Sequence, residues 1–190
     1  MSQTDLLIEA VKALDRAGVG HVLTGSIVSS LQGEPRATHD IDLVIEVDVR
    51  AVDKLSDAFG APRYFFDGIA AREALAHLGM FNLLDTSTGD KVDFWSLTES
   101  DFDRSRFARR VVTKAFGRDV YVTSPEDTIL QKLKWSADSG GSERQMGDAQ
   151  SVYAVQSGRL DEAYLDEWAG RLDVADLLAR IRLAATRVGD

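Results

Sequence analysis

The 190-residue chain predicts an α/β fold of the α+β kind: a small mixed sheet with flanking helices, then a helical C-terminal part. Three observations predict it. Ile41, Leu43, Ile45 and Val47 alternate with Asp40, Asp42, Val44 and Glu46, the period-two pattern of a strand. Two pairs of short apolar runs, 80–85 with 91–97 and 111–115 with 120–123, flank turn-forming residues at 86–90 and Gly117 and read as hairpins. From Ser124 onward, helical spacing replaces strand spacing.

The remaining elements follow in order. Leu6, Leu7, Ala10, Val11 and Leu14 share a helical face over 4–17, with Thr4 as the expected N-cap and Gly18 as the stop. Residues 21–24 predict a short strand, and Gly25-Ser26 turns the chain into a helix over 27–31. Gly33-Glu34-Pro35 is a loop. Helices are predicted at 49–59, 68–78 and 101–108, and a short strand at 63–66. Ser124-Pro125-Glu126-Asp127 has the order of a helix start: a capping Ser, Pro in the first turn, then acids that the helix dipole favours. Helix is expected from there to Val188, broken only at 139–142. The predicted organisation is an α/β core over 1–123 and a helical part over 124–190 packed on it.

At 44% hydrophobic and 28% charged residues, the composition is that of a globular chain. With no cysteine, disulfides, thiolate metal sites and thiol nucleophiles are excluded. The three histidines form no H-x-x-x-H pair, which argues against a histidine zinc site. A net charge of −9 argues against coating nucleic acid through the overall field. No run approaches the roughly 20 apolar residues of a membrane span, so no membrane partner is expected and the chain is read as cytoplasmic.

The chemistry-bearing stretch is Thr24-Gly25-Ser26 followed by Asp40-Ile41-Asp42-Leu43. Aspartate is depleted in strands, yet Asp40 and Asp42 stand at i and i+2 and so share one face. Two carboxylates that close repel, and a divalent ion such as Mg²⁺ relieves the repulsion while leaving positions for phosphate oxygens. Asp93 lies between Val92 and Phe94 in a later strand. If that strand lies beside 40–47, three carboxylates meet. Gly25 permits close backbone approach to an anion, and Ser26 stands at a helix start, where free N–H groups favour phosphate.

This pattern resembles the nucleotidyltransferase superfamily related to DNA polymerase β: an apolar strand, Gly-Ser, a gap of about a dozen residues, Asp-apolar-Asp-apolar and a third acid on a later strand. Further along, Ser124-Pro125-Glu126-Asp127 through Lys132-Leu133 resembles the AbiEii-like nucleotidyltransferases, toxins of type IV toxin–antitoxin systems. The resemblance implies a nucleotidyltransferase-like fold and transfer of an NMP from an NTP, with Mg²⁺ or Mn²⁺, to an acceptor that is tRNA in some members. It also implies a cognate antitoxin as a partner. By this resemblance Lys132, Arg144 and Asp148 match a Lys, Arg and Asp on successive helices, with Gly147 standing where the family places a basic residue. The expected assignments are Asp40, Asp42 and Asp93 for metal and catalysis, Lys132 and Asp148 as further catalytic residues, and Gly25, Ser26, Arg36, Thr38 and Lys132 for the nucleotide.

Structural roles compete with these. Asp93 has Lys91 as a same-strand ion partner, Ser26 is an ordinary N-cap, Thr38 and Arg36 close a loop, and Asp148 has Arg144 one turn before it. The acid-poor run Arg104, Arg106, Arg109, Arg110, Lys114 and Arg118 is either a polynucleotide patch or a solvated face. Two alternatives to the tRNA reading stay open: a small-molecule transferase of the aminoglycoside type, suited to an acidic protein, and a degenerate nucleotide-binding module without catalysis.

Overall fold

The computed structural model describes residues 2–186. They divide into two compact units: the chain up to Thr24 with Thr38–Val122, and Gly25–Ala37 with the chain from Thr123 on. The strands are β1 (Gly20–Thr24), β2 (Asp40–Glu46), β3 (Tyr64–Phe66), β4 (Met80–Asp85), β5 (Lys91–Ser96), β6 (Val111–Ala115) and β7 (Arg118–Val122). The helices are α1 (Gln3–Ala17), α2 (Gly25–Gln32), α3 (Ala51–Ala58), α4 (Gly68–Ala76), α5 (Asp101–Ala108), α6 (Pro125–Asp138), α7 (Glu143–Gln156), α8 (Glu162–Arg171) and α9 (Ala175–Thr186).

All seven strands belong to the first unit and form one mixed sheet in the order β3-β4-β5-β2-β1-β7-β6. β2 is central, antiparallel to β1 and parallel to β5. Both expected hairpins form, β4 with β5 and β6 with β7. Ile41, Leu43 and Ile45 of β2 and Phe94 of β5 are fully buried. Each such side chain contributes roughly 1.5–3 kcal/mol by leaving water. On the opposite face, Val22 and Val44 pack against Phe107 of α5 with Leu97 alongside. That face is therefore apolar toward one end of β2 and acidic at the other, where Asp40 and Asp42 stand half-exposed.

The start of α1 differs from expectation. Its N-cap is Ser2, not Thr4, because Ser2 and Asp5 form a reciprocal capping box that satisfies two backbone donors at once. Its end is as expected: Gly18 takes φ +72° and its N–H closes on Asp15 and Leu14.

The second unit contains α2 and α6 to α9. Ser124 caps α6, accepting from Asp127 N–H and donating to the Asp127 carboxylate, with Pro125 in the first turn. Long-range hydrogen bonds from side-chain amides fasten α2 within the unit: Gln32 Nε2 donates to the Thr123 carbonyl at 2.7 Å, and Gln156 Nε2 to the Gln32 carbonyl at 2.6 Å. The expected continuous helix is broken not only at 139–142 but also at 157–161 and 172–174. Gly158 (φ +78°) and Asp173 (φ +58°) carry the backbone through the left-handed region there, which no helix interior tolerates. The last two residues of that expected helix, 187 and 188, lie outside the described residues. Among the described residues, no helix is long and apolar enough to cross a membrane.

Candidate active site

In the first unit, the parallel pairing of β2 with β5 puts Asp42 opposite Asp93 and Asp40 opposite Lys91. Because i and i+2 share a strand face, Asp40, Asp42, Asp93 and Lys91 all project from one side of the sheet. Lys91 Nζ bonds Asp93 Oδ2 at 2.7 Å, and Trp95 donates its indole N–H to Asp42 Oδ1 at 3.2 Å. Asp93 is buried, and its Oδ1 has no hydrogen-bond partner. A buried carboxylate oxygen without a donor costs free energy unless something cationic meets it. Thr24, at the end of β1, faces Asp42 across the other edge of β2.

In the second unit a cationic cluster surrounds Ser26. Lys132 Nζ donates to Ser26 Oγ at 3.3 Å and lies 2.8 Å from Asp148 Oδ2. Arg36 donates from Nη2 to Ser26 Oγ at 2.8 Å and clamps Asp148 with Nε at 2.6 Å and Nη2 at 2.7 Å. The Lys132 side chain is 2% exposed and that of Asp148 7%. Burial alone would raise the Asp148 carboxyl, but the hydrogen bonds from Arg36 and Lys132 outweigh it and hold the group below the ordinary carboxylate range. Two cations against one carboxylate leave this cluster positive. Gly25, with φ +73°, makes the left-handed turn that opens α2 just before Ser26.

Each expected residue can now be placed. Asp42 and Asp93 are register partners, with Asp40 two residues away on the same face. Gly25, Ser26, Arg36, Lys132 and Asp148 come together within the second unit. Asp148 takes its partners from Arg36 and Lys132, while Arg144 is exposed. Thr38 Oγ1 accepts from Asp40 N–H at 3.4 Å, so it closes the start of β2. Lys91 takes the ion-pair role that its place on the strand allowed. Sequence reasoning missed Trp95; the signal was its two-residue spacing from Asp93, which puts the indole on the acidic face.

Three of the six cations of the basic run have acidic partners. Arg104 pairs with Glu99, Arg106 with Asp103 at 2.7 Å and Arg118 with Asp15 at 2.8 Å. Arg110 lies over the rings of Phe107 and Tyr121 and bonds the Phe107 carbonyl.

Among the described residues, no three acidic or histidine side chains already converge as a ready-made metal cage. The donor chemistry nevertheless fits a hard divalent ion. Asp42 and Asp93 are adjacent carboxylates, and the buried Asp93 Oδ1 has no hydrogen-bond partner.

No protein-family model and no curated protein matches this chain. Solved structures do. Antibiotic-resistance factor ANT(2'')-Ia, in complex with adenylyl-2''-tobramycin, is 14% identical; the match covers 90% of this chain and 99% of that one, with a TM-score of 0.54. The lincosamide antibiotic adenylyltransferase LnuA, lincomycin-bound, is 12% identical over 78% of this chain and 95% of that one, at 0.53. An antigenic nucleotidyltransferase-like protein from Paracoccidioides brasiliensis is 17% identical over 93% and 92%, at 0.50. At these identities the likeness establishes the fold, which is nucleotidyltransferase-like.

Proposed function

We propose that the protein is a metal-dependent nucleotidyltransferase that moves an NMP from an NTP to an acceptor hydroxyl. The observation that carries this reading is the acidic row Asp40, Asp42 and Asp93 on one face of adjacent parallel strands, within a nucleotidyltransferase-like fold. In the reaction the acceptor oxygen bonds the α-phosphorus, the bond from that phosphorus to the bridging oxygen breaks, and pyrophosphate leaves. Asp40 and Asp42, with Asp93, are assigned to hold Mg²⁺ or Mn²⁺. When bound, the ion would supply charge neutralisation at the triphosphate and make the attacking hydroxyl more acidic. Where it holds no ion, Asp93 is assigned instead to help deprotonate the acceptor hydroxyl. Ser26, Arg36, Lys132 and the Gly25 backbone are assigned to phosphate oxygens, with Arg36 and Lys132 offsetting the negative charge that builds on the transferring group. Asp148 orients those two cations.

For the acceptor, the Pro125-Glu126-Asp127 to Lys132-Leu133 resemblance supports tRNA and a toxin role with a cognate antitoxin. A second reading, a small cationic acceptor, is supported by the ion pairs of Arg104, Arg106 and Arg118 and by the net charge of −9. The test is incubation with each NTP labelled at the α-phosphate, with Mg²⁺ and either total tRNA or a panel of aminoglycosides. Label in RNA supports the first acceptor, and label in an aminoglycoside supports the second. Nucleotide binding without transfer to either overturns the enzymatic reading and leaves a binding module.

A further inference from the structure

Lys91 occupies an unusual electrostatic position. Its ammonium bonds one oxygen of Asp93, and its own register partner across the β2–β5 seam is Asp40. Three carboxylates against one ammonium leave the row at a formal −2, the charge that one divalent ion balances. The two partners differ in freedom: the Asp93 side chain is 8% exposed, the Lys91 side chain 43%. The carboxylate cannot leave, whereas a hydrated point charge on a four-carbon stem can swing into water.

We propose that Lys91 is the built-in counter-cation of the acidic row, and that a divalent ion gains Asp93 by displacing the Lys91 ammonium into solvent. The proposal rests on the metal-binding reading above. Without an ion, Lys91 keeps a buried carboxylate from standing unpaired beside two others. With an ion arriving, the same ammonium is a competitor for Asp93 Oδ2, while Oδ1 has no hydrogen-bond partner to lose. Lysine suits the task better than arginine, whose two-pronged grip on a carboxylate is harder to displace.

The test is calorimetric titration of Mn²⁺ into the full chain without nucleotide, comparing wild type with Lys91→Met, Lys91→Gln and Lys91→Arg, each checked for folding by circular dichroism. Removing one positive charge a few ångströms from the ion should tighten Mn²⁺ binding roughly tenfold in the Met and Gln variants. Lys91→Arg should bind no more tightly than wild type. The rise in melting temperature on saturation with Mn²⁺ should be larger in the Met and Gln variants, which lack the resident cation. Gln keeps a hydrogen-bond donor for Asp93, so it reports on charge even if Met weakens the fold. Wild-type binding with unchanged or weaker affinity in both neutral variants overturns the role of Lys91 and leaves the metal reading standing. No Mn²⁺ binding by any of the proteins overturns both.

Discussion

Asp42 carries two demands that a neutral residue could only half meet. It accepts the Trp95 indole N–H, and it sets a carboxylate opposite Asp93. Asp42→Asn separates them, since the amide oxygen still serves Trp95 while the charge is gone. Turnover should fall at least about 100-fold, as when a group stabilising the transition state is lost. The metal-free melting temperature should hold or rise, because a like-charge contact is relieved. A lower melting temperature with turnover retained would make Asp42 a structural residue. Asp148 behaves oppositely, since its charge is satisfied by Arg36 and Lys132. Its folded pKa lies below the unfolded value, so the unfolded chain binds the proton more readily and stability rises with pH across that interval. The contribution is complete above the unfolded carboxylate pKa of about 4 and is lost as pH falls toward the folded value. Asp148→Asn removes the buried carboxylate that Arg36 and Lys132 share, which should cost on the order of 3–5 kcal/mol in urea unfolding at neutral pH. The gap to wild type should narrow below about pH 4. A gap independent of pH would mean that packing, not charge, holds the residue. The Asp pair was legible because acids at i and i+2 in an apolar strand are a local anomaly. The partners of Asp148 were not: Arg144 is its helical neighbour, while Arg36 lies 112 positions away.

At the scale of elements, what local chemistry dictates was readable and what long-range contact dictates was not. β2, the two hairpins and the capped start of α6 follow from period, turn residues and Ser-Pro order, all local. The break after α8 was hidden because Asp173 is not a glycine and still takes φ +58°, whereas the break after α7 carries Gly158, a signal the sequence displays. The grouping of α2 with the C-terminal helices depends on side-chain amide hydrogen bonds that span 91 and 124 positions, which no local pattern encodes. Gly33 marks how close that packing is. A Cβ there would lie 2.6 Å from Ser151 Oγ and 2.9 Å from the Val152 backbone nitrogen. Ser151 Oγ is also held by the Glu34 N–H at 2.6 Å, so it cannot simply turn aside. Gly33→Ala should therefore destabilise by roughly 1–3 kcal/mol, the usual cost of overpacking. Gly147 in α7 has nothing within 4 Å of its added Cβ, so Gly147→Ala should be neutral or stabilise by up to about 1 kcal/mol through helix propensity. Equal effects of the two substitutions in thermal melts would remove α2–α7 contact as the cause.

For the whole molecule, the dominant quantity is a net charge of −9. An NTP is itself strongly anionic, so the long-range field opposes binding, and local cations must supply attraction within about 10 Å, where screening is incomplete. On the proposed reading Arg36 and Lys132 provide some, but each already shares the Asp148 carboxylate, which reduces what they offer a phosphate. On the same reading the acidic row, only partly offset by Lys91, carries surplus negative charge that a divalent ion neutralises. NTP affinity in EDTA should therefore be weak, and Mg²⁺ or Mn²⁺ should strengthen it by at least about tenfold, the worth of charge neutralised at close range. Raising monovalent salt in EDTA should weaken NTP binding little or even strengthen it, because screening removes long-range repulsion along with local attraction. Isothermal calorimetry with and without EDTA, at two ionic strengths, measures both. Equal NTP affinity in both conditions would sink the metal reading and leave Ser26, Arg36 and Lys132 as the anchor of the nucleotide. In that event Lys132→Met should abolish binding, whereas Asp42→Asn should leave it intact.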